Sequence, residues 1–290
     1  MRIVEPKQFH HLKKKKHKRK LPILPFILVL AVSGGLYVGW KNPPKLQRKI
    51  QPAPQIETPI EAEDVSNKPK TLRTLIGEDF KNLFRSLAHP NTQGFLEPPP
   101  ITGNQEADKR IRQLAEERGY RMTSMPVSAL VRTDDGATAD LDDLLQPLAY
   151  QGWLELKDAA KKDGIPLILY SGYRPPEFQR DIFLERLADS GATPERIALG
   201  LADNAVRQTL AITAVPGYSR HHTGYTADFR CDDGSPNFGA SICFTWLNTN
   251  NYLHAKEHGW IPSYPEEAKE QGPEPEPWEY VWVGRDALSE

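Results

Sequence analysis

The chain has 290 residues, 26 of them proline, with a hydrophobic content of 39% and a formal net charge of -1. The length allows one substantial domain or two small ones, and the low apolar content argues against a chain that is globular throughout. The neutral average hides an asymmetry, because the first twenty residues hold nine Lys or Arg and one Glu. That segment carries about +8 and the remainder about -9, which argues against a nucleic-acid-binding domain.

A basic segment is followed at once by an apolar one. Residues 21–40 read LPILPFILVLAVSGGLYVGW and contain no charged side chain. About twenty apolar residues cross a hydrocarbon core about 30 Å thick, and flanking positive charge stays in the cytoplasm. We therefore predict a basic cytoplasmic segment at 1–20, a transmembrane signal anchor at 21–40 and an extracytoplasmic remainder on the periplasmic or cell-wall side of the cell membrane. A cleaved signal peptide is the alternative, since Ala31-Val32-Ser33 resembles a small-residue cleavage site.

Residues 41–104 are predicted to form a Pro-rich linker, because much of this stretch cannot bury enough apolar surface to fold. Within it, apolar residues recur at three- and four-residue steps over 71–89, which predicts an amphipathic helix. Packing on the domain, lying on the membrane and binding a partner all remain open for this helix. The folded domain is predicted at 105–290.

Short helices and strands mix along that domain. The periodicity of apolar residues predicts helices at 107–118, 141–162, 176–187 and 240–259, and a break of the second helix near Pro147 stays open. Apolar runs predict short strands at 125–131, 165–170, 225–231 and 278–283. The order has no regular βαβ rhythm, so the expected fold class is α+β.

Cys231 and Cys243 are the two cysteines of the chain. Given the export signal, an oxidising compartment favours a disulfide between them. A loop of about a dozen residues would contribute roughly 3 kcal/mol to stability in the chain-entropy model. Two free, buried thiols are the alternative.

Three polar segments are candidates for chemistry. In the first, Arg174 follows a predicted buried strand, where its guanidinium could meet a carboxylate or an oxyanion. In the second, His221 and Asp228 are metal-ligand types seven residues apart, and Gly224 would permit the turn that brings them together. A surface arginine and a solvated pair of histidines, His221 and His222, are the respective alternatives.

In the third segment, acidic residues enter a strand through a proline-rich stretch. Glu276 and Glu279 could supply a general base and a metal ligand, or they could belong to a solvated loop.

Taken in order, these segments resemble the VanY-type zinc D,D-carboxypeptidases. The shared features are Ser-Gly-Tyr-Arg with a Gln five residues after the Arg, then Ser-x-His-x-x-Gly-x-x-x-Asp, then Glu-Pro-Trp before a strand. The resemblance covers about 141–284 and implies a small α+β domain with one Zn²⁺ in a cleft.

The resemblance also implies roles for individual residues. His221 and Asp228 correspond to zinc ligands, Glu276 to the general base, and Arg174 to the group that stabilises the oxyanion. The residues on the substrate side of the cleft, or supporting it, are Ser219, Gln179 and Tyr173.

Glu279 departs from the family, which usually has His as the third zinc ligand at this position. A Glu oxygen can still bind zinc at about 2.0–2.2 Å, but the ligand set becomes harder and more anionic. It could admit another divalent metal, or the site could be degenerate. The pattern H-x-x-E-H at His254 to His258 is a minor alternative source of a His ligand.

We therefore expect a metal-dependent D,D-carboxypeptidase, or a related peptidase, that hydrolyses peptidoglycan stem peptides. A non-catalytic peptidoglycan-binding module derived from such an enzyme is the alternative. A third possibility is an anchored scaffold whose amphipathic helix recruits partners.

Overall fold

The structure, a computed structural model, describes residues 71–95, 97–133 and 144–290. The predicted cytoplasmic segment, the predicted anchor and residues 41–70 of the predicted linker lie outside the described residues. Within the described ranges, no helix is both long and apolar enough to cross a membrane. The helices are α1 (Glu78–Ser86), α2 (Gln105–Glu117), α3 (Pro147–Lys162), α4 (Pro176–Asp189), α5 (Pro194–Ala198), α6 (Asp203–Leu210) and α7 (Ile242–Lys256). The strands are β1 (Thr92–Gln93), β2 (Met125–Pro126), β3 (Val131–Arg132), β4 (Leu144–Leu145), β5 (Leu167–Ser171), β6 (Thr226–Cys231), β7 (Trp260–Tyr264) and β8 (Glu276–Trp282).

An antiparallel four-stranded sheet forms the centre of the fold, in the order β5-β6-β8-β7. The mixture of helix and strand expected from the sequence is confirmed. The last strand in the chain, β8, lies inside the sheet, because β7 pairs along its outer side. Sequence patterns did not predict β7. It contains Pro262, which is compatible with an edge strand because such a strand leaves some N–H groups unpaired.

Two clusters of buried apolar side chains hold the helices. The larger one packs α3 and α7 on the sheet and includes Trp153, Phe229 and Trp260. The smaller one joins α2, α4 and α6 and includes Ile111, Phe183, Val206, Leu210 and Tyr218. Tyr218 lies just before a 3₁₀ turn at Arg220–Thr223, and β6 follows that turn. The turn is therefore held at one end by each cluster, which fixes the backbone that carries His221.

Residues 71–86, which include α1, pack on the larger cluster. Leu72 forms an antiparallel bridge with Ser289, and Leu75 and Phe80 are buried. The side chain of Asn251 accepts a hydrogen bond from the Leu75 N–H at 2.9 Å and donates one to the Leu75 carbonyl at 2.7 Å. Because residues before Gly77 are held in this extended form, α1 is shorter than the helix predicted over 71–89.

Two other helices differ from their predictions for local reasons. Helix α3 begins at Pro147 rather than at 141, because proline is favoured in the first turn, where its missing N–H has no partner to lose. Helix α7 is broken at Thr249–Tyr252, where Asn250, Asn251 and Tyr252 have positive φ angles. The disulfide between Cys231 and Cys243 is formed, with the Cα atoms 5.7 Å apart, and joins the end of β6 to the start of α7.

Candidate active site

The 3₁₀ turn and two neighbouring strands bring three metal-ligand types together. His221 lies in the turn, and Gly224 reverses the chain with a φ of 72°, a left-handed conformation that glycine adopts without strain. Asp228 on β6 then lies directly opposite Glu279 on β8. His221 Nε2 is 3.3 Å from both Asp228 Oδ1 and Glu279 Oε2. One donor atom from each residue lies within 4.8 Å of the other two.

The chemistry of these atoms fits a bound cation. His221 Nδ1 lies 2.6 Å from the carbonyl oxygen of Gly172, so Nδ1 donates its hydrogen there and Nε2 faces the two carboxylates. Asp228 Oδ1 is buried and has no hydrogen-bond donor. Ligands about 2.1 Å from a tetrahedral zinc ion are roughly 3.4 Å apart, close to the separations seen here. Three acceptors facing one another at this spacing match a divalent metal site.

The charges at this position also favour a cation. Burial opposes the charged form of His221, but Asp228 and Glu279 raise its pKa to about 9. Burial likewise opposes ionisation of Glu279, but His221 outweighs it and lowers the pKa of that carboxyl to about 2. The two carboxylates thus create a field that stabilises positive charge beside Nε2.

Glu276 and Glu279 are both brought to this side of the sheet by an irregularity in β8. Pro262 of β7 pairs with Tyr280, and Tyr264 pairs with Glu276. Residues 277–279 of β8 therefore stand opposite Ser263 alone, which disrupts the regular alternation of side chains. In a regular strand, residues three positions apart would point to opposite faces. The bulge explains how Glu276 can hydrogen-bond Glu279.

Glu276 is an acid in a strongly perturbed environment. Burial is the largest cause, and the charges of Glu279 and Asp228 add to it, so the pKa of Glu276 is raised well above its ordinary value. Glu276 therefore holds the proton that the two glutamates share. A positive charge bound by Asp228 and Glu279 would lower this pKa and favour the ionised form, which can accept a proton.

Arg174 lies on the other side of Asp228 and is held rigidly. Its Nη2 atom is 3.6 Å from Asp228 Oδ2 and donates to Ser171 Oγ at 3.3 Å, while Nη1 donates to Gln179 Oε1 at 3.0 Å. Gln179 is only 2% exposed and donates in turn to the Ala214 carbonyl at 2.7 Å. In this structure the contacts of Gln179 are those of a residue that supports Arg174.

Ser219 and Tyr173, the other residues expected on the substrate side, flank the same turn and strand. Ser219 is buried directly before His221's turn, and its carbonyl accepts a hydrogen bond from Thr123 Oγ1 at 3.0 Å. Tyr173 is half-buried, and its N–H donates to the Leu144 carbonyl at 2.7 Å. Their contact with a substrate stays a prediction.

His222 has a structural role that the sequence pattern did not reveal. Its Nδ1 lies 2.6 Å from the Arg174 carbonyl, and its Nε2 accepts a hydrogen bond from the Gly217 N–H at 3.0 Å. Burial lowers its pKa to about 3, so the ring is neutral. The alternative of a solvated histidine pair is wrong, because both rings are buried. The His-His dipeptide in the sequence draws attention to both residues, but it does not show that one is a candidate metal ligand and the other supports the backbone.

The H-x-x-E-H pattern does not contribute to this site. His254 stacks on Trp246 with ring centroids 4.2 Å apart, and His258 Nδ1 lies 3.6 Å from Glu155 Oε2. Neither histidine belongs to the group formed by His221, Asp228 and Glu279.

An antiparallel sheet that presents such a metal-ligand group beside an acid and an arginine is an arrangement suited to peptide hydrolysis. Residues 142–285 match the model of the VanY family, described as D-alanyl-D-alanine carboxypeptidase. The resemblance drawn from the motifs is confirmed over these residues.

Three similar proteins illustrate the match. The chain is 35% identical over 136 residues to a D-alanyl-D-alanine carboxypeptidase of Enterococcus faecalis, which covers 47% of each chain. It is 30% identical over 135 residues to YodJ of Bacillus subtilis, whose name proposes a carboxypeptidase, covering 45% of this chain and 43% of that one. A mutant of the vancomycin-resistance D,D-pentapeptidase VanY in complex with Zn(II) is 26% identical, with a TM-score of 0.42 over 57% of this chain and 85% of that chain. The matches thus span less than half the length of the two curated relatives.

Proposed function

We propose that this protein is a metal-dependent carboxypeptidase that removes the C-terminal residue from peptidoglycan stem peptides. The observation that carries the proposal is the convergence of His221, Asp228 and Glu279 within 4.8 Å, beside Glu276 and Arg174. The match of residues 142–285 to the VanY family supports the reaction class, and the description of that family supports a substrate ending in D-Ala-D-Ala.

The residues divide the chemistry between them. His221, Asp228 and Glu279 would hold a zinc ion, which supplies Lewis-acid activation of a water molecule and polarisation of a carbonyl when bound. Glu276 accepts the proton of the attacking water and returns it to the leaving amine. Arg174, fixed by Ser171 and Gln179, donates hydrogen bonds to the oxyanion that develops on the scissile carbonyl.

We also propose that residues 21–40 anchor the domain to the cell membrane, with the site on the extracytoplasmic side. The uncharged, apolar sequence behind a basic segment supports the anchor. The disulfide between Cys231 and Cys243 supports an oxidising compartment. Such a tether would keep the site within reach of the cell wall. Fractionation of cells that express the full chain, followed by protease accessibility of intact spheroplasts, tests both points.

The full chain, held in detergent, should be incubated with a muropeptide pentapeptide that ends in D-Ala-D-Ala and with the corresponding tetrapeptide. Products are identified by mass spectrometry with a chelator, with added zinc and with neither. Loss of one alanine from the pentapeptide, abolished by the chelator and restored by zinc, is the expected result. A different fragment would change the assigned bond. No product from a folded, metal-loaded chain would overturn the enzyme and favour a peptidoglycan-binding module.

A further inference from the structure

The third metal-ligand position is the one at which this chain departs from its family. A Glu side chain has more rotatable bonds than a His, so more conformations must be excluded before its carboxylate can serve as a ligand. Glu279 must therefore be held in place for the site to bind a metal. Glu279 is 5% exposed, so the side chains around it decide its position.

Ser263 is the residue of β7 that faces this part of β8. It is fully buried, and it stands alone opposite residues 277–279 because of the bulge. Its hydroxyl hydrogen-bonds the Glu279 carboxylate. Because both groups are buried, losing this hydrogen bond would leave a hydroxyl or a carboxylate without a partner, which costs free energy through their desolvation.

Arg220 orients the Ser263 hydroxyl. The Arg220 Nη1 atom donates to Ser263 Oγ at 3.1 Å and also to the Ser263 carbonyl. A guanidinium group offers only donors, so the serine oxygen acts as the acceptor in that contact. The hydroxyl hydrogen is then left for the carboxylate of Glu279. Arg220 also directly precedes His221 in the chain. It is therefore linked to the ligand His221 through the backbone and to the ligand Glu279 through Ser263.

Two aromatic rings hold the Arg220 side chain. The guanidinium carbon lies 4.1 Å from the centroid of Phe84 and 4.2 Å from that of Tyr264, and the residue is 5% exposed. A cation over an aromatic face is stabilised by the ring quadrupole, and more so when water is excluded. Phe84 belongs to α1, which lies outside the 142–285 match to the family. The support of the site therefore extends beyond the matched segment.

We propose that Ser263 and Arg220 are positioning residues that hold Glu279 as a metal ligand, with Phe84 of α1 completing the support. The inference rests on the metal site of the proposed function, although not on hydrolysis itself. It explains how a chain with Glu at the usual His position keeps a metal-binding geometry. It also makes α1, through Phe84, part of the structure that supports the metal site.

Zinc affinity of the full chain, measured by competition with a chromophoric chelator, tests the proposal without any substrate. Outer-shell partners of metal ligands typically change affinity by about 10–100-fold, and we expect a loss of this size for Ser263→Ala. Ser263→Thr keeps the hydroxyl and should retain most of the affinity. Arg220→Met keeps a buried apolar stem and should lose affinity like Ser263→Ala, with little further loss when the two are combined.

Glu279→His supplies the matched background. A metal-bound imidazole has no carboxylate oxygen to accept the hydrogen of the Ser263 hydroxyl, so adding Ser263→Ala to Glu279→His should change zinc affinity by less than about 2-fold. Equal losses in both backgrounds would show a merely structural role and overturn the proposal, as would an unchanged affinity of Ser263→Ala or a wild-type chain that binds no zinc. Circular dichroism of each variant reports folding. A wild-type chain that binds zinc but cleaves no muropeptide would contradict the proposed function alone.

Discussion

Glu276 and Glu279 lie three residues apart on β8, and both carboxyl groups lie beside Asp228 because the strand bulges opposite Ser263. Their environments push their pKa values in opposite directions, upward for Glu276 and down to about 2 for Glu279. Two carboxyl groups with separated pKa values can take different roles, one as an acid or base and the other as an anionic ligand. The bulge therefore places a proton acceptor and an anionic metal ligand side by side, and the proposed reaction requires both.

Glu276→Gln should abolish hydrolysis while leaving the metal site occupied. The amide keeps the shape of the side chain but cannot accept a proton, so we expect turnover to fall by about 10²–10⁴-fold. Zinc content, measured by mass spectrometry of the purified protein, should stay near that of the wild type. Glu274→Gln is the matched control, because Glu274 is exposed and pairs with Arg118. A Glu276→Gln variant that loses zinc in proportion to activity would instead assign Glu276 to the ligand set.

Glu279→His should change the preference of the site among metals. Replacing a carboxylate by an imidazole makes the ligand set softer and less anionic, which favours zinc over manganese. We expect activity regained with Mn²⁺, relative to Zn²⁺, to be higher in the wild type than in the variant. The measurement is turnover of chelator-treated protein after titration with each metal. Indistinguishable metal profiles would show that Glu279 does not bind the metal.

The sequence alone is enough to identify residues whose side-chain type indicates their chemical role. His221, Asp228 and Gly224 stand close together in the chain, so one loop was enough to indicate a ligand pair and the turn between them. Glu279 was assigned through the family resemblance, and its position opposite Asp228 depends on strand pairing across about fifty residues. Local periodicity carries no information on that pairing.

The supporting residues were not predictable in the same way. Ser263 lies in a strand that contains Pro262, so the pattern did not indicate a strand at all. Arg220 occupies an unspecified position of the Ser-x-His pattern, and Phe84 lies in the predicted amphipathic helix, whose partner the sequence leaves open. Their shared role in holding Glu279 depends on contacts among α1, the 3₁₀ turn and β7. A single sequence does not specify such a meeting, because the contacts join residues far apart in the chain.

Acid should destabilise the domain partly through His89. This ring stacks on Tyr225 and contacts Phe84 at a tilt. Its Nε2 has no hydrogen-bond partner, and burial, aided by Arg220, lowers its pKa to about 4. The unfolded chain, with a histidine pKa of about 6.5, binds the proton first as pH falls. His89 therefore costs nothing above about pH 7 and removes stability progressively between about pH 6.5 and 4, by at most about 3 kcal/mol.

His89→Phe keeps an aromatic ring in the stack but cannot be protonated. Urea unfolding of the wild type and the variant at pH 7.5 and pH 5 provides the comparison. We expect the wild type to lose more free energy of unfolding between these two pH values than the variant does. Equal losses in both proteins would show that His89 is protonated as readily in the folded chain as in the unfolded one.

The disulfide between Cys231 and Cys243 should contribute measurably to stability. It closes a loop with a sequence separation of 12 between the end of β6, three residues after Asp228, and the start of α7. Constraining a loop of this length in the unfolded chain is worth about 3 kcal/mol in the chain-entropy model. The double variant Cys231→Ser, Cys243→Ser should therefore unfold at lower urea concentration than the wild type. Dithiothreitol should lower the wild-type midpoint toward that of the variant and leave the variant unchanged. A wild-type midpoint that does not respond to reductant, in a protein shown by mass to be reduced, would contradict a stabilising role.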